Sequence, residues 1–162
     1  MSKRVEALPK WKGFPIPYFA TYRKDGTPDF KVVDEARRKN CAVHRVCWIC
    51  GEALEYWVTF IGGPKSVDLR LFSDGPMHPE CANDAMMICP FLLGQTDYGN
   101  NPDANKYDGI IQSDPHVSIA PTQMGILLTR KFETVLSRDR RNWFFRPHTV
   151  KSVRWIERQH NN

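Results

Sequence analysis

Two pairs of metal-ligand residues constrain the fold of this chain more than any other feature. Cys47 and Cys50 are separated by two residues, and His78 and Cys81 repeat that spacing further along the chain. Structural zinc sites commonly take their four ligands as two such pairs, and three thiolates with one imidazole leave no position for water. The spacing therefore predicts one Zn²⁺ ion that stabilises the fold and performs no chemistry.

Three further residues leave the set of four ligands open. Cys41 and His44 precede Cys47 at the same spacing, and Cys89 follows Cys81 in a segment that favours a helix. We expect Cys41 and His44 at a helix end and Cys89 packed in the core, roughly two helical turns beyond Cys81. Any of the three could still join or replace a zinc ligand.

The composition is typical of one folded domain in a reducing compartment. The 162 residues are 41% hydrophobic and 12% aromatic, which is enough to build a core. The five cysteines, an odd number at metal-ligand spacings, do not have the pattern of a disulfide framework, so we expect zinc to stabilise the fold. No segment approaches the ~20 apolar residues of a membrane helix, and the N-terminus lacks a secretion signal. We therefore expect a single cytoplasmic domain over residues 1–162.

The segments around the ligands indicate a small zinc core, from about residue 45 to residue 92 of an α+β fold. Gly51 permits a tight turn after Cys50. Residues 56–61 and 67–72 have strand composition and flank a Gly-Gly-Pro turn, which predicts a β-hairpin. A helix is predicted over residues 79–89, because proline is acceptable in a first helical turn. The tight turn that carries Cys47 and Cys50 is a zinc knuckle. Its order with the following hairpin and helix is typical of a treble-clef zinc finger.

The rest of the chain predicts hairpins and few short helices. Residues 1–18 are proline-rich and are expected to form an extended arm without a helix. An Asp25-Gly26 turn predicts a hairpin, and Asp34 can cap a short helix. Residues 94–118 are rich in Gly, Asn, Asp and Pro, which predicts a flexible loop. Residues 122–162 predict a basic, β-rich segment whose last stretch fits either a helix or a strand.

The positive charge is concentrated in this C-terminal segment. Residues 130–162 carry nine Lys and Arg against three Asp and Glu, a balance of +6, whereas residues 1–129 carry −1. Clustered cations bind phosphates, and rings between them can stack on bases. The candidate nucleic-acid-binding residues are Arg130, Lys131, Arg138, Arg140, Arg141 and Arg146, with Phe132, Trp143, Phe144 and Phe145 interleaved. The same alternation also fits a half-buried sheet whose rings face inward.

Several motifs resemble a family of uncharacterised, zinc-finger-like proteins from bacteria and their phages. The matching runs are Pro17-Tyr-Phe, Asp25-Gly-Thr-Pro-Asp-Phe, Cys47-Trp-Ile-Cys-Gly, Phe60-Ile-Gly-Gly-Pro, Met77-His-Pro-Glu-Cys-Ala, Ile88-Cys-Pro-Phe-Leu and Val153-Arg-Trp. The resemblance covers most of the chain and implies the zinc site, the treble-clef-like architecture and the cytoplasm of a bacterium or an infected host cell. It implies no activity. The chain departs from the family pattern in an insert around residues 95–109, which could carry a protein-specific contact.

These observations favour a zinc-binding protein without catalytic activity whose partner is nucleic acid. The alternative is a protein-binding inhibitor or modulator of a host or defence complex. An exposed arginine cluster would favour the first, and an exposed apolar patch the second.

A nuclease of the His-Asn-His type is the less favoured alternative. Asp74 and Asn83 lie near His78, but His78 is needed as a zinc ligand and no second histidine follows it on the helix. His116 and His148 lie near acidic residues, but nothing in the sequence fixes the geometry of an acid/base pair.

Overall fold

The computed structural model describes residues 1–94 and 121–159, so all of the predicted flexible loop except Gly94 lies outside the described residues. The helices are α1 (Lys3–Glu6), α2 (Glu35–His44), α3 (Pro64–Leu69) and α4 (Pro79–Ile88). The strands are β1 (Lys10–Trp11), β2 (Phe14–Pro15), β3 (Ala20–Tyr22), β4 (Pro28–Val33), β5 (Val58–Gly62), β6 (Gln123–Thr129), β7 (Phe132–Leu136), β8 (Trp143–Pro147) and β9 (Val150–Glu157). Short helices with small antiparallel sheets confirm the α+β class.

The N-terminal arm is more structured than its prolines predict. The expectation that residues 1–18 contain no helix is wrong, because α1 forms there and buries Val5. The backbone nitrogen of Ser2 donates to the Asp84 carboxylate at 2.7 Å, which ties α1 to α4. Beyond α1, β1 and β2 form a hairpin whose turn residues Lys12 and Gly13 both have positive φ angles, as a type I′ turn requires.

The predicted hairpin and capped helix that follow are both confirmed. Strands β3 and β4 pair in antiparallel fashion on either side of the Asp25-Gly26 turn. The Asp34 carboxylate accepts a hydrogen bond from the backbone nitrogen of Arg37 at 3.1 Å, which caps α2. Arg45, in the left-handed conformation, caps the C-terminus of α2, and the first ligand pair begins two residues later at Cys47.

The second predicted hairpin is wrong in its second strand. Residues 64–69 form α3, since Pro64 stands at the first helical position, where a missing N–H costs nothing. Strand β5 pairs instead with β6. Met77, which lies outside the predicted strand at residues 67–72, exchanges two backbone hydrogen bonds with Thr59 at 2.8 and 2.9 Å. The chain therefore still runs from knuckle through a β-pairing to a helix.

The C-terminal segment forms strands, as predicted, and its ambiguous last stretch is β9. Strands β5, β6 and β9 form one antiparallel sheet in that order, and β7 pairs with β8. The two units share an aromatic core around Phe60, whose ring lies 5.2 Å from that of Phe72 and 5.5 Å from that of Phe132. Within residues 1–94 and 121–159, no helix has the length and apolar character needed to cross a membrane.

Candidate metal centre

The first ligand pair lies on a tight knuckle held by backbone hydrogen bonds. The nitrogen of Cys47 donates to the carbonyl oxygen of Glu52 at 2.7 Å, and the nitrogen of Gly51 donates to that of Cys47 at 2.8 Å. From outside, the nitrogen of Tyr18 donates to the carbonyl oxygen of Ile49 at 2.7 Å. These backbone bonds hold the turn that carries both cysteines.

Gly51 is required in this knuckle for two reasons. Its φ of 75° lies in the left-handed region, and a β-carbon there would stand 2.6 Å from Cδ2 of Tyr18. We expect Gly51→Ala to lower the free energy of unfolding by about 1–3 kcal/mol. Gly26→Ala is the matched control, because Gly26 has a φ of 84° with nothing within 4 Å of the added carbon. Urea unfolding should show the larger loss for Gly51→Ala, and equal losses would contradict the steric argument.

The second ligand pair lies at the start of α4. His78 is the N-cap residue, with an extended backbone, and Pro79 opens the helix. Cys81 lies within the first helical turn, so its side chain and that of His78 face the same side. The pairing of Met77 with Thr59 fixes where this helix begins. Strand β5, through Thr59, and the first turn of α4 together position His78 and Cys81 beside Cys47 and Cys50.

The four predicted ligands converge on one point. Their ligand atoms all lie within 4.8 Å of one another. Nδ1 of His78 is 3.4 Å from Sγ of Cys50 and 3.9 Å from Sγ of Cys81. A tetrahedral zinc ion with ordinary bond lengths separates nitrogen and sulfur ligands by about 3.6 Å. The cluster therefore has the composition and the spacing of a Cys₃His metal site.

The orientation of the His78 ring is set by a residue that the sequence did not single out. Nε2 of His78 lies 3.0 Å from the backbone carbonyl oxygen of Ala53, to which it donates. This bond leaves the lone pair of a neutral ring on Nδ1, which faces the sulfur atoms. Because Ala53 acts through its main chain, no side-chain pattern could have revealed it.

The close contacts within the cluster shift its protonation. Hydrogen bonds from the thiols of Cys47 and Cys81 hold the pKa of Cys50 well below its usual range. Hydrogen bonds with Cys47 and Cys50 raise the pKa of His78 to about 10, and those same two residues raise the pKa of Cys81. These contacts favour the thiolate form of Cys50. The thiolate is the metal-binding form of cysteine, so this sulfur is suited to hold a cation.

The alternative ligands lie outside the cluster. Within the described residues, the metal-ligand group contains Cys47, Cys50, His78 and Cys81, without Cys41, His44 or Cys89. Cys41 is fully buried, and this burial raises the pKa of its thiol to about 12. His44 is exposed at the end of α2.

The residues considered for catalysis are not assembled in the described part of the chain. Nδ1 of His78 faces the sulfur atoms, and the side-chain oxygen of Asn83 accepts a hydrogen bond from Arg154 at 2.5 Å. His148 is exposed and lies 3.5 Å from the Glu133 carboxylate. His116 lies outside the described residues.

The six candidate basic side chains are all exposed. Arg130 stacks over the ring of Tyr56 at 5.3 Å, and Arg146 forms an ion pair with Glu133 at 3.1 Å. Arg138, Arg140 and Arg141 lie in the turn between β7 and β8.

Two of the four interleaved rings are turned away from this surface. Phe132 and Phe145 are buried in the core, and Trp143 and Phe144 are half-buried. Phe132 and Phe145 therefore face inward, as in a half-buried sheet, and are not available to stack on bases.

Comparison with protein-family profiles, curated protein sequences and solved structures finds no match to this chain.

Proposed function

We propose that this protein is a zinc-stabilised, non-enzymatic binding protein that contacts nucleic-acid phosphates through the turn between β7 and β8. The metal has a structural role in this proposal, because three cysteines and one histidine fill a tetrahedral zinc site. The cytoplasm of a bacterium or of an infected host cell suits such a site, since thiols stay reduced there.

The observation that supports nucleic-acid binding is the arginine cluster of the β7–β8 turn, which comprises Arg138, Arg140 and Arg141. All three side chains are exposed, and none forms an ion pair with an acidic group in the described residues. Asp139 lies among them, but its carboxylate accepts hydrogen bonds from Ser137 and from the backbone nitrogen of Arg141. Asp139 attracts Arg141 through its charge. The three exposed guanidinium groups nevertheless form no ion pair in the described residues that a phosphate oxygen would have to displace.

Reversing the arginine cluster to glutamate should abolish binding to nucleic acid. Because each phosphate contact releases counterions, binding of the wild-type protein should also weaken steeply with salt. The measurement is fluorescence anisotropy with labelled duplex DNA, single-stranded DNA and RNA across a salt series.

A control of equal charge change separates contact from net charge. Lys3, Lys24 and Lys39 are exposed and lie far from the turn in sequence, so their triple reversal changes the net charge equally. We expect this control to keep most of the binding. Unchanged affinity after reversal of the arginine cluster would exclude the turn as the interface, and no binding by the wild type at low salt would refute the nucleic-acid proposal.

A protein partner is the second candidate, supported by a different surface. Trp11 and Phe14 face each other across the β1–β2 hairpin, with 38% and 52% of their areas exposed. Phe30 on β4 is also 38% exposed. Exposed aromatic residues of this kind are enriched at protein interfaces. If nucleic acid does not bind, a Trp11→Ser, Phe14→Ser variant should lose a partner captured by the wild-type protein.

A further inference from the structure

An apolar cavity lies beside the metal centre but is separate from it. Its volume is about 310 Å³, and its walls come from the N-terminal hairpin, β4, the knuckle, α4 and the turn after α4. Trp48 and Phe19, whose rings stack at 4.8 Å, form part of one wall. Phe91 lies on another, and the exposed rings of Phe14 and Phe30 also line the space.

One acidic side chain, Asp74, lines this apolar cavity. Its carboxylate has no hydrogen bond or ion pair with any group in the described residues. Asp74 is half-buried. Burial of its carboxyl group raises the pKa of Asp74, against an opposing effect of the Arg38 charge. A carboxylate in such surroundings gains strongly from a cationic partner.

The other polar groups on the walls do not supply that partner. Burial raises the pKa of the Cys89 thiol, so this side chain stays uncharged. The backbone of Lys31 is held on β4 by a bond to the Asp29 carboxylate at 3.0 Å, and its side chain is exposed. Among the lining residues that the structure describes, Asp74 is the one acidic side chain and the exposed Lys31 the one basic side chain. Arg38 acts on Asp74 through its charge, without an ion pair.

We propose that this cavity is a binding site for a small apolar amine whose ammonium group pairs with Asp74. The size of the ligand follows from the volume, since a cavity of ~150 Å³ accepts one benzene ring. The cavity here is about twice as large, so a molecule with two fused rings fits. The aromatic walls suit such a body, and Asp74 gives the site its preference for a positive head group.

Three ligands of equal shape test the proposal: 1-naphthylmethylamine, 1-naphthalenemethanol and 1-naphthoic acid. Titration calorimetry with the zinc-loaded protein should give the amine the highest affinity, at least about ten-fold above the alcohol, with the acid weakest. Equal binding of amine and alcohol, stronger binding of the acid, or no binding of any of the three would overturn the proposal.

Two variants locate the site. Asp74→Asn should remove the preference for the amine over the alcohol. Ala85→Leu should lower the affinity for all three ligands, because the larger side chain fills part of the cavity. Zinc content and melting temperature show whether each variant is folded. The ranking of the three ligands on the wild-type protein decides the question even if a variant fails to fold. Retention of the amine preference in folded Asp74→Asn would refute the role of Asp74.

Discussion

Replacing Cys47 or Cys81 with serine should remove the metal and the cooperative folding of the core. Both thiols are fully buried in the cluster, and a hydroxyl is a poor ligand for zinc. The remaining thiols and His78 would then lie close together in the interior without a cation. Because structural zinc contributes roughly 10–16 kcal/mol in small zinc domains, this loss exceeds what most folds of this size tolerate. Metal analysis and thermal unfolding measure both effects.

The matched control for this experiment is Cys89→Ala. Cys89 is half-buried at the end of α4 and is not one of the four clustered ligands. We expect this variant to keep one zinc ion per chain and to lose little stability. A Cys47 or Cys81 variant with full zinc content and wild-type melting would show that the ligand set is wrong, and loss of zinc from the control would place Cys89 within it.

Trp48→Ala should cause the largest loss of stability among core substitutions that leave the ligands in place. Trp48 is 1% exposed, its ring stacks on Phe19, and the guanidinium of Arg38 lies 5.7 Å from its centroid. A β-carbon at Gly75 would stand 2.6 Å from this ring, so the backbone packs directly against it. Truncating such a ring leaves a large void and should cost about 3–5 kcal/mol.

Urea unfolding in the presence of excess zinc measures this cost separately from metal loss. Trp11→Ala is the control, since Trp11 is 38% exposed at a hairpin and should lose less than about 1 kcal/mol. Similar losses for the two variants would contradict the view that the packing around Trp48 stabilises the core.

The local spacing of residues predicted the Cys₃His cluster because zinc chemistry constrains that spacing directly. Two residues between ligands suffice to place Cys47 with Cys50 and His78 with Cys81, whatever the rest of the chain does. The cap at Asp34 was predictable for the same reason, since its hydrogen bond closes within one helical turn.

Features that depend on distant contacts could not be predicted in this way. Residues 67–72 have strand composition, but β5 pairs with β6 on one edge and, at Thr59, with Met77 on the other. Helix α1 is too short to be stable alone, and its hydrogen bond from Ser2 to Asp84 joins residues 82 positions apart in the sequence. Ala53 fixes His78 through a carbonyl oxygen, which every residue possesses. In each case tertiary packing decided between local conformations of similar energy.

The central claim is a closed Cys₃His zinc site, and X-ray absorption spectroscopy at the zinc edge tests it most directly. The purified protein should contain one zinc ion with three sulfur ligands at about 2.3 Å and one nitrogen ligand at about 2.0–2.1 Å. Such a shell would match the ligand set of Cys47, Cys50, His78 and Cys81, with no position left for water. A shell of four sulfur atoms, or one with a coordinated water, would contradict the account, because the first requires a fifth residue and the second an open, catalytic metal.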